Sequence, residues 1–393
     1  MKANNTIEQK AKAKQLMKKA YDLCLIGNYD DGIKCYTEAA ELGDVVAQTQ
    51  LGDLYCEGDI VEEDFKTARK WYEKAAKQGY AEAQYSLGWL YHEGHGVEEN
   101  WDKAVKWYKL SAEQGYLHAQ TALAYYYSRG IAVDQDYYES FKWYRKAGEQ
   151  GDPEAQLNVA ECYCEGKGVE QNYKEAVKWY KRAAERDKEG AYLALSKLYH
   201  EGKGVKQNEK IAAQWLRRFA GEYGGFNAWK FGMVGHRFYD GLFIDQNYKA
   251  AAKYLKKEAK CNREALWSPY YLGVLYKEGK GVKQSYVKAA QWFRRAANQG
   301  VYEAQYELAE LYWEGKGVKK SFEEAVKWYK LSAEGGAIET MEKLCQCYSE
   351  GIGVKKDSKA AKEWQKKIEE RKAREEEEKR CFEEWEKSRM EEG

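Results

Sequence analysis

Proline is nearly missing from this sequence, with two residues in 393. So sparse a use of the residue that breaks helices from within suits a stack of uninterrupted helices. Long apolar runs are missing as well. No stretch of about 18 apolar residues occurs, which leaves no candidate for a membrane-spanning helix. The opening residues, MKANNTIEQKAKAKQLMKKA, are polar and lack the apolar core of a secretory signal. A soluble, cytoplasmic protein is the expectation. Excess charge is absent too: 65 Lys and Arg stand against 64 Asp and Glu, a net charge of +1. That balance excludes a nucleic-acid binder that works by neutralising many phosphates, and leaves room only for a local basic patch.

Recognisable chemistry is the next absence. There is no GxxxxGK[ST] loop to cradle a phosphate. His92-Glu93-Gly94-His95 is not the HExxH zinc motif, because its second histidine comes one residue early and beyond the glycine that ends the helix. Cys162-Tyr163-Cys164 and Cys345-Gln346-Cys347 have the spacing of neither a zinc ribbon nor a redox pair. No catalytic residue, metal site or cofactor is assigned.

What is present is repetition. Residues 81–116, AEAQYSLGWLYHEGHGVEENWDKAVKWYKLSAEQGY, read as two helices in succession. Ala83, Leu87, Leu90 and Tyr91 make the apolar stripe of a first helix, A, with Gly88 where a neighbouring backbone must come close. Gly94 should close it in the left-handed conformation. After a short loop anchored by Val97, Asn100 caps a second helix, B, whose stripe is Ala104, Trp107, Tyr108, Ser111 and Ala112, and Gly115 ends it. The loop glycine recurs in phase at Gly58, Gly94, Gly130, Gly166, Gly202, Gly241, Gly279, Gly315 and Gly351. Thirteen residues after each comes tryptophan, or Tyr254 in the sixth copy, and ten after comes alanine, or Ser140 in the third. Six after comes Asp64, Asn100, Asp136, Asn172, Asn208, Asn247, Ser285, Ser321 or Asp357, all helix N-cap types.

The pattern AEAQYxLGxLYxxGxGV followed by KAxxWYxKAAxQG resembles the Sel-one-like repeat, a relative of the tetratricopeptide repeat with a longer loop. The resemblance runs from about Val46 to Ile368. It implies an all-α fold, a right-handed α-α superhelical solenoid of helix-turn-helix repeats, acting as an adaptor in multiprotein assemblies of bacteria and eukaryotes. Some relatives are secreted and staple each hairpin with a cysteine pair. Here no pair among the nine cysteines recurs with the repeat, and Cys162 and Cys347 fill the slot of Leu54, Leu90 and Leu311, as small core hydrophobes in a reducing compartment would. Other relatives are described as penicillin-binding or β-lactam-hydrolysing. Of SxxK, SDN and KTG only the first occurs, at Ser285-Tyr286-Val287-Lys288, and Ser285 sits in the N-cap slot.

The expected organisation is a tetratricopeptide-like capping hairpin at 9–44, repeats one to five at 45–225, a divergent repeat at 226–269, repeats seven to nine at 270–368 and a charged tail at 369–393. The divergent repeat carries extra residues at 221–225 and 262–269, and puts Arg237 in a leucine slot. It reads as a worn repeat, or as a joint or docking site. The tail should extend the last helix and fray, with Phe382, Trp385 and Met390 as a narrow apolar edge open to self-association or a partner.

Function follows from subtraction. Positions two, five, nine and twelve residues before the loop glycine form one stripe of helix A and vary freely. That stripe should be exposed, and by resemblance it lines the concave side. It presents Tyr85, Trp89, His92, Tyr125, Glu161, Lys197, His236, Tyr239, Tyr270, Tyr306, Glu310 and Trp313. Tyrosine and tryptophan there suit a groove for a peptide or protein partner, because they anchor strongly at low entropy cost. The expected function is a non-enzymatic scaffold. The alternatives are an effector that leaves the cell without a cleavable signal to bind a host protein and, more distantly, a cell-wall-type enzyme.

Overall fold

Each loop glycine adopts the left-handed backbone that the spacing predicts. Gly94, with φ 73°, caps α5 (Ala81–Glu93) and returns its N–H to the Leu90 carbonyl. At the start of α6 (Trp101–Glu113) the Asn100 side chain accepts from the Lys103 N–H at 2.9 Å. All nine N-cap residues named from the sequence accept in the same way. These local signals punctuate the chain into hairpins before any tertiary contact is made.

The computed structural model describes residues 2–221, 228–242 and 244–391, with side chains from 8 to 385. Most of the extra segment 221–225, and the side chain of Met390 in the tail edge, lie outside what is described. The opening pair is α1 (Lys2–Leu25) and α2 (Tyr29–Glu41). Hairpins follow in order: α3 (Val45–Glu57) with α4 (Phe65–Lys77), α5 with α6, α7 (Leu117–Arg129) with α8 (Tyr137–Glu149), and α9 (Pro153–Glu165) with α10 (Tyr173–Glu185). Next come α11 (Glu189–Glu201), α12 (Glu209–Phe219) and the hairpin of α13 (Ala228–Asp240) with α14 (Tyr248–Cys261). The last are α15 (Trp267–Glu278) with α16 (Tyr286–Ala297), α17 (Tyr302–Glu314) with α18 (Phe322–Ala333), and α19 (Ile338–Glu350) with α20 (Ser358–Glu391). Two compact units result: Met1–Leu198 with Gly202–Lys206, and Tyr199–Glu201 with Gln207–Gly393. Each is an all-α solenoid of helices packed on neighbours in sequence, as α4 lies between α3 and α5 in the first unit and α14 between α13 and α15 in the second. No described helix is long and apolar enough to cross a membrane.

Inside a hairpin the deepest ring is the one that follows the periodic tryptophan. Tyr108 is sealed under Gly88, where a Cβ would meet its ring at 2.8 Å, and Tyr72, Phe293 and Tyr329 are buried in the same slot. The tryptophans lie nearer the surface. Trp143 and Trp179 are buried and the others half-buried. Cations from the next turn lie over their rings, with Lys74 3.8 Å from the Trp71 centroid and Arg182 4.6 Å from that of Trp179. Tyr254, in the tryptophan slot of the divergent repeat, is fully buried and stacks on Phe238.

Between hairpins the seam is polar as well as apolar. Gln84 donates to the Ala76 carbonyl of α4 at 3.2 Å and accepts from Gln114 at 2.7 Å. Gln48 with Gln78 and Gln120 with Gln150 repeat the arrangement at 2.9 and 2.8 Å. The second loop glycine belongs to the seam too. A Cβ on Gly168 would come within 1.9 Å of the Tyr137 carbonyl oxygen at the start of α8, so the loop of one repeat rests on the backbone of the one before.

α20 runs unbroken for 34 residues, anchored by buried Ile368, and leaves Phe382 and Trp385 exposed. All nine cysteines are free thiols. Cys347 is sealed as a core residue, whereas Cys162 is half-buried and its thiol faces a concavity instead.

Candidate functional site

The variable stripe of helix A comes together most completely in the first unit. α5, α7 and α9 stand side by side in successive repeats, and their stripe residues line a concavity of about 780 Å³. Tyr85, Trp89, His92, Tyr125 and Glu161 all reach it. The register explains this. Residues 36 apart in phase occupy equivalent turns of parallel helices, so one position repeated along the array becomes one wall.

The wall is less open than the sequence suggests. Tyr125 is 45% exposed and Glu161 is exposed, but Tyr85, Trp89 and His92 are half-buried. Trp89 meets the His95 ring edge-on at 5.1 Å, and His95 in turn stacks on Phe65 at 4.4 Å. His92 Nδ1 lies 2.5 Å from the Tyr126 hydroxyl. The physical reason is size. A large ring on helix A reaches a neighbour, Trp89 the His95 of its own loop and His92 the Tyr126 of the next repeat, so it packs on one side and presents only the other.

Several lining residues escaped sequence reading. Tyr126 fills a leucine slot, Tyr144 lies under helix A, and His118 and Arg129 also line the concavity. Burial lifts the hydroxyls of Tyr126 and Tyr144 to about 12, which keeps both as neutral hydrogen-bond donors at ordinary pH. For Tyr126 the signal was legible: a tyrosine in the slot that holds leucine in most repeats.

The remaining stripe residues fall elsewhere. Lys197 on α11 is exposed and lies outside this concavity. His236 and Tyr239 on α13 pack on Tyr271 at 4.5 and 4.7 Å. Tyr270 and Tyr306 line a second concavity, of about 500 Å³, which Arg371 and Glu375 of α20 help to close. Glu310 accepts from the Tyr329 hydroxyl, and Trp313 packs edge-on against Phe322 at 4.7 Å. Ser285 uses its hydroxyl to accept from the Lys288 N–H, as a helix cap does. A further group, His200, Glu209 and Asp245, brings potential ligand atoms within 4.8 Å of one another. Within it Glu209 already holds His200 Nδ1 at 2.7 Å and accepts from the Asp245 backbone N–H at 3.0 Å.

Comparison with known proteins agrees with this architecture. The family model of the Sel1 repeat matches residues 25–44, 45–80, 81–116, 117–152, 153–188, 190–221, 233–262, 270–301, 303–336 and 338–367. Among solved structures, c5321, a protective antigen of uropathogenic Escherichia coli strains displaying an SLR fold, is 31% identical, with 86% of this chain and 79% of that one covered and a TM-score of 0.63. A Sel1 repeat protein from Oxalobacter formigenes is 29% identical over 62% of this chain and 96% of its own, with a TM-score of 0.52. No curated protein matches the chain. With ten matched segments over most of its length, and hairpins in the phase those segments require, the chain belongs to the Sel1 repeat family, whose solenoid commonly serves as a protein-interaction scaffold.

Proposed function

We propose that this chain is a non-enzymatic adaptor that holds a peptide or protein partner against the stripe of α5, α7 and α9. One observation carries the reading: stripe residues from the A helices of three successive repeats line a single concavity, and Tyr85, Trp89 and Tyr125 are among them. Rings that pack on one face and are open on the other lose little entropy when a partner covers them. A cytoplasmic setting suits nine thiols, none of them paired.

The experiment is partner capture on immobilised wild-type chain in parallel with Trp89→Ala and Tyr125→Ala, read by mass spectrometry. A partner taken by the wild type should be lost from the variants, with hot-spot losses of about 2 kcal/mol or more. The same partner retained by variants that melt like the wild type would overturn the reading.

A further inference from the structure

Five residues before the loop glycine, the stripe carries a carboxylate in three repeats, at Asp53, Glu161 and Glu310. Two of the three are satisfied from within. Asp53 accepts from the Tyr72 hydroxyl at 2.8 Å, and Glu310 accepts from that of Tyr329. Glu310 also has a cation: Lys343 Nζ on α19 lies 3.6 Å from its carboxylate and 5.4 Å from the centroid of the Trp313 ring. The chain thus shows how a lysine sits on this column, between a carboxylate and an aromatic face.

Glu161 has neither partner. The tyrosine beneath it, Tyr180, turns its hydroxyl to Cys164. The position equivalent to Lys343, thirty-three residues after the carboxylate, is Ala194, whose methyl cannot reach across. Among the described residues no lysine or arginine forms an ion pair with Glu161. Its neighbour Lys167 is drawn to Glu165 at 2.6 Å, and Lys188 pairs with Glu154. Although the residue as a whole is exposed, burial of its carboxyl and then the neighbouring Glu165 raise Glu161 above its ordinary range, and the nearby charge of Lys167 offsets this only in part. Around it the concavity is lined by five carboxylates against two cationic side chains, Arg129 and Lys167, and by the rings of Tyr125, Tyr137 and Tyr144.

We propose that Glu161 is the counter-ion for a lysine or arginine side chain of a partner protein, presented by an extended basic segment lying along α5, α7 and α9. The proposal rests on the adaptor reading and adds the chemistry of the occupant. The incoming cation takes the place on Glu161 that Lys343 takes on Glu310, with tyrosine faces in place of Trp313.

The test is fluorescence anisotropy on the full chain, using a labelled alanine-rich peptide that carries spaced lysines, with norleucine and glutamate versions as controls. The lysine peptide should bind, more weakly as salt is raised. Glu161→Gln should lose about tenfold in affinity. Ala194→Lys should lose a similar factor, since it supplies the cation internally, while melting no lower than the wild type. Binding unchanged in both variants would overturn the proposal, as would equal binding of the norleucine peptide. If a control peptide binds instead and Tyr125→Ala abolishes it, the adaptor reading survives and the charge assignment fails. If no peptide binds, the charge assignment fails and partner capture still decides the adaptor reading.

Discussion

Single residues explain where the seams are strong and where they are not. The buried glutamine of helix A donates to the preceding helix B and accepts from a glutamine thirty residues later. Where that later slot changes, the acceptor is orphaned: Gln156 faces Arg186 and Gln305 faces Gly335, and both carbonyl oxygens are buried without a partner. Arg186→Gln should restore the bond and raise stability by about 1 kcal/mol, read from the denaturant midpoint. A lower midpoint would show that Arg186 has a structural task of its own. Asp53 offers a second test. Burial pushes its carboxyl up to about 6, so between its ordinary range and that value the folded chain holds a proton the unfolded chain lacks. Stability therefore falls as pH rises through this window. Asp53→Asn keeps an acceptor for Tyr72 but removes the charge. It should raise the melting temperature at about pH 7.5 and have little effect near pH 4. The same gain at both pH values would contradict the assignment.

At the scale of the helix, the sequence was most legible where a signal is local. Caps and left-handed glycines are decided within a turn, so the bounds of helices A and B follow from Asn100, Gly94 and their repeats. The glutamine ladder was not legible, because its two members are thirty residues apart and each alone reads as a surface polar residue. Nor was the burial of the stripe, since whether Trp89 faces solvent or His95 depends on how the loop folds back onto Phe65 of the preceding repeat, which periodicity does not state. That the tyrosine lies deeper than the tryptophan beside it was not legible either, for a related reason: a lysine or arginine one turn on covers the indole instead of a helix. Trp179 is among the buried ones, and Trp179→Ala should cost about 3 to 5 kcal/mol. An unchanged melting curve would mean that these rings do not hold the hairpins.

For the molecule as a whole, stability is shared between neighbours, because ordering one repeat costs on the order of 1 to 2 kcal/mol per residue and only stacking recovers it. An internal repeat can then be removed in register. Deletion of residues 117–152 joins Tyr116 to Pro153 and lets Gln156 meet the Ala112 carbonyl in place of Gly148. The shortened chain should keep its helicity per residue, melt earlier and lose the concavity. Loss of helical circular dichroism would show that the repeats are not interchangeable. The central claim, that a partner lies on the stripe of α5, α7 and α9, is tested most directly by hydrogen exchange on the intact chain with and without its captured partner. The account predicts slowed exchange in those three helices and little change in α6, α8 and α10. Protection confined to the helix B layer or to the tail of α20 would contradict it.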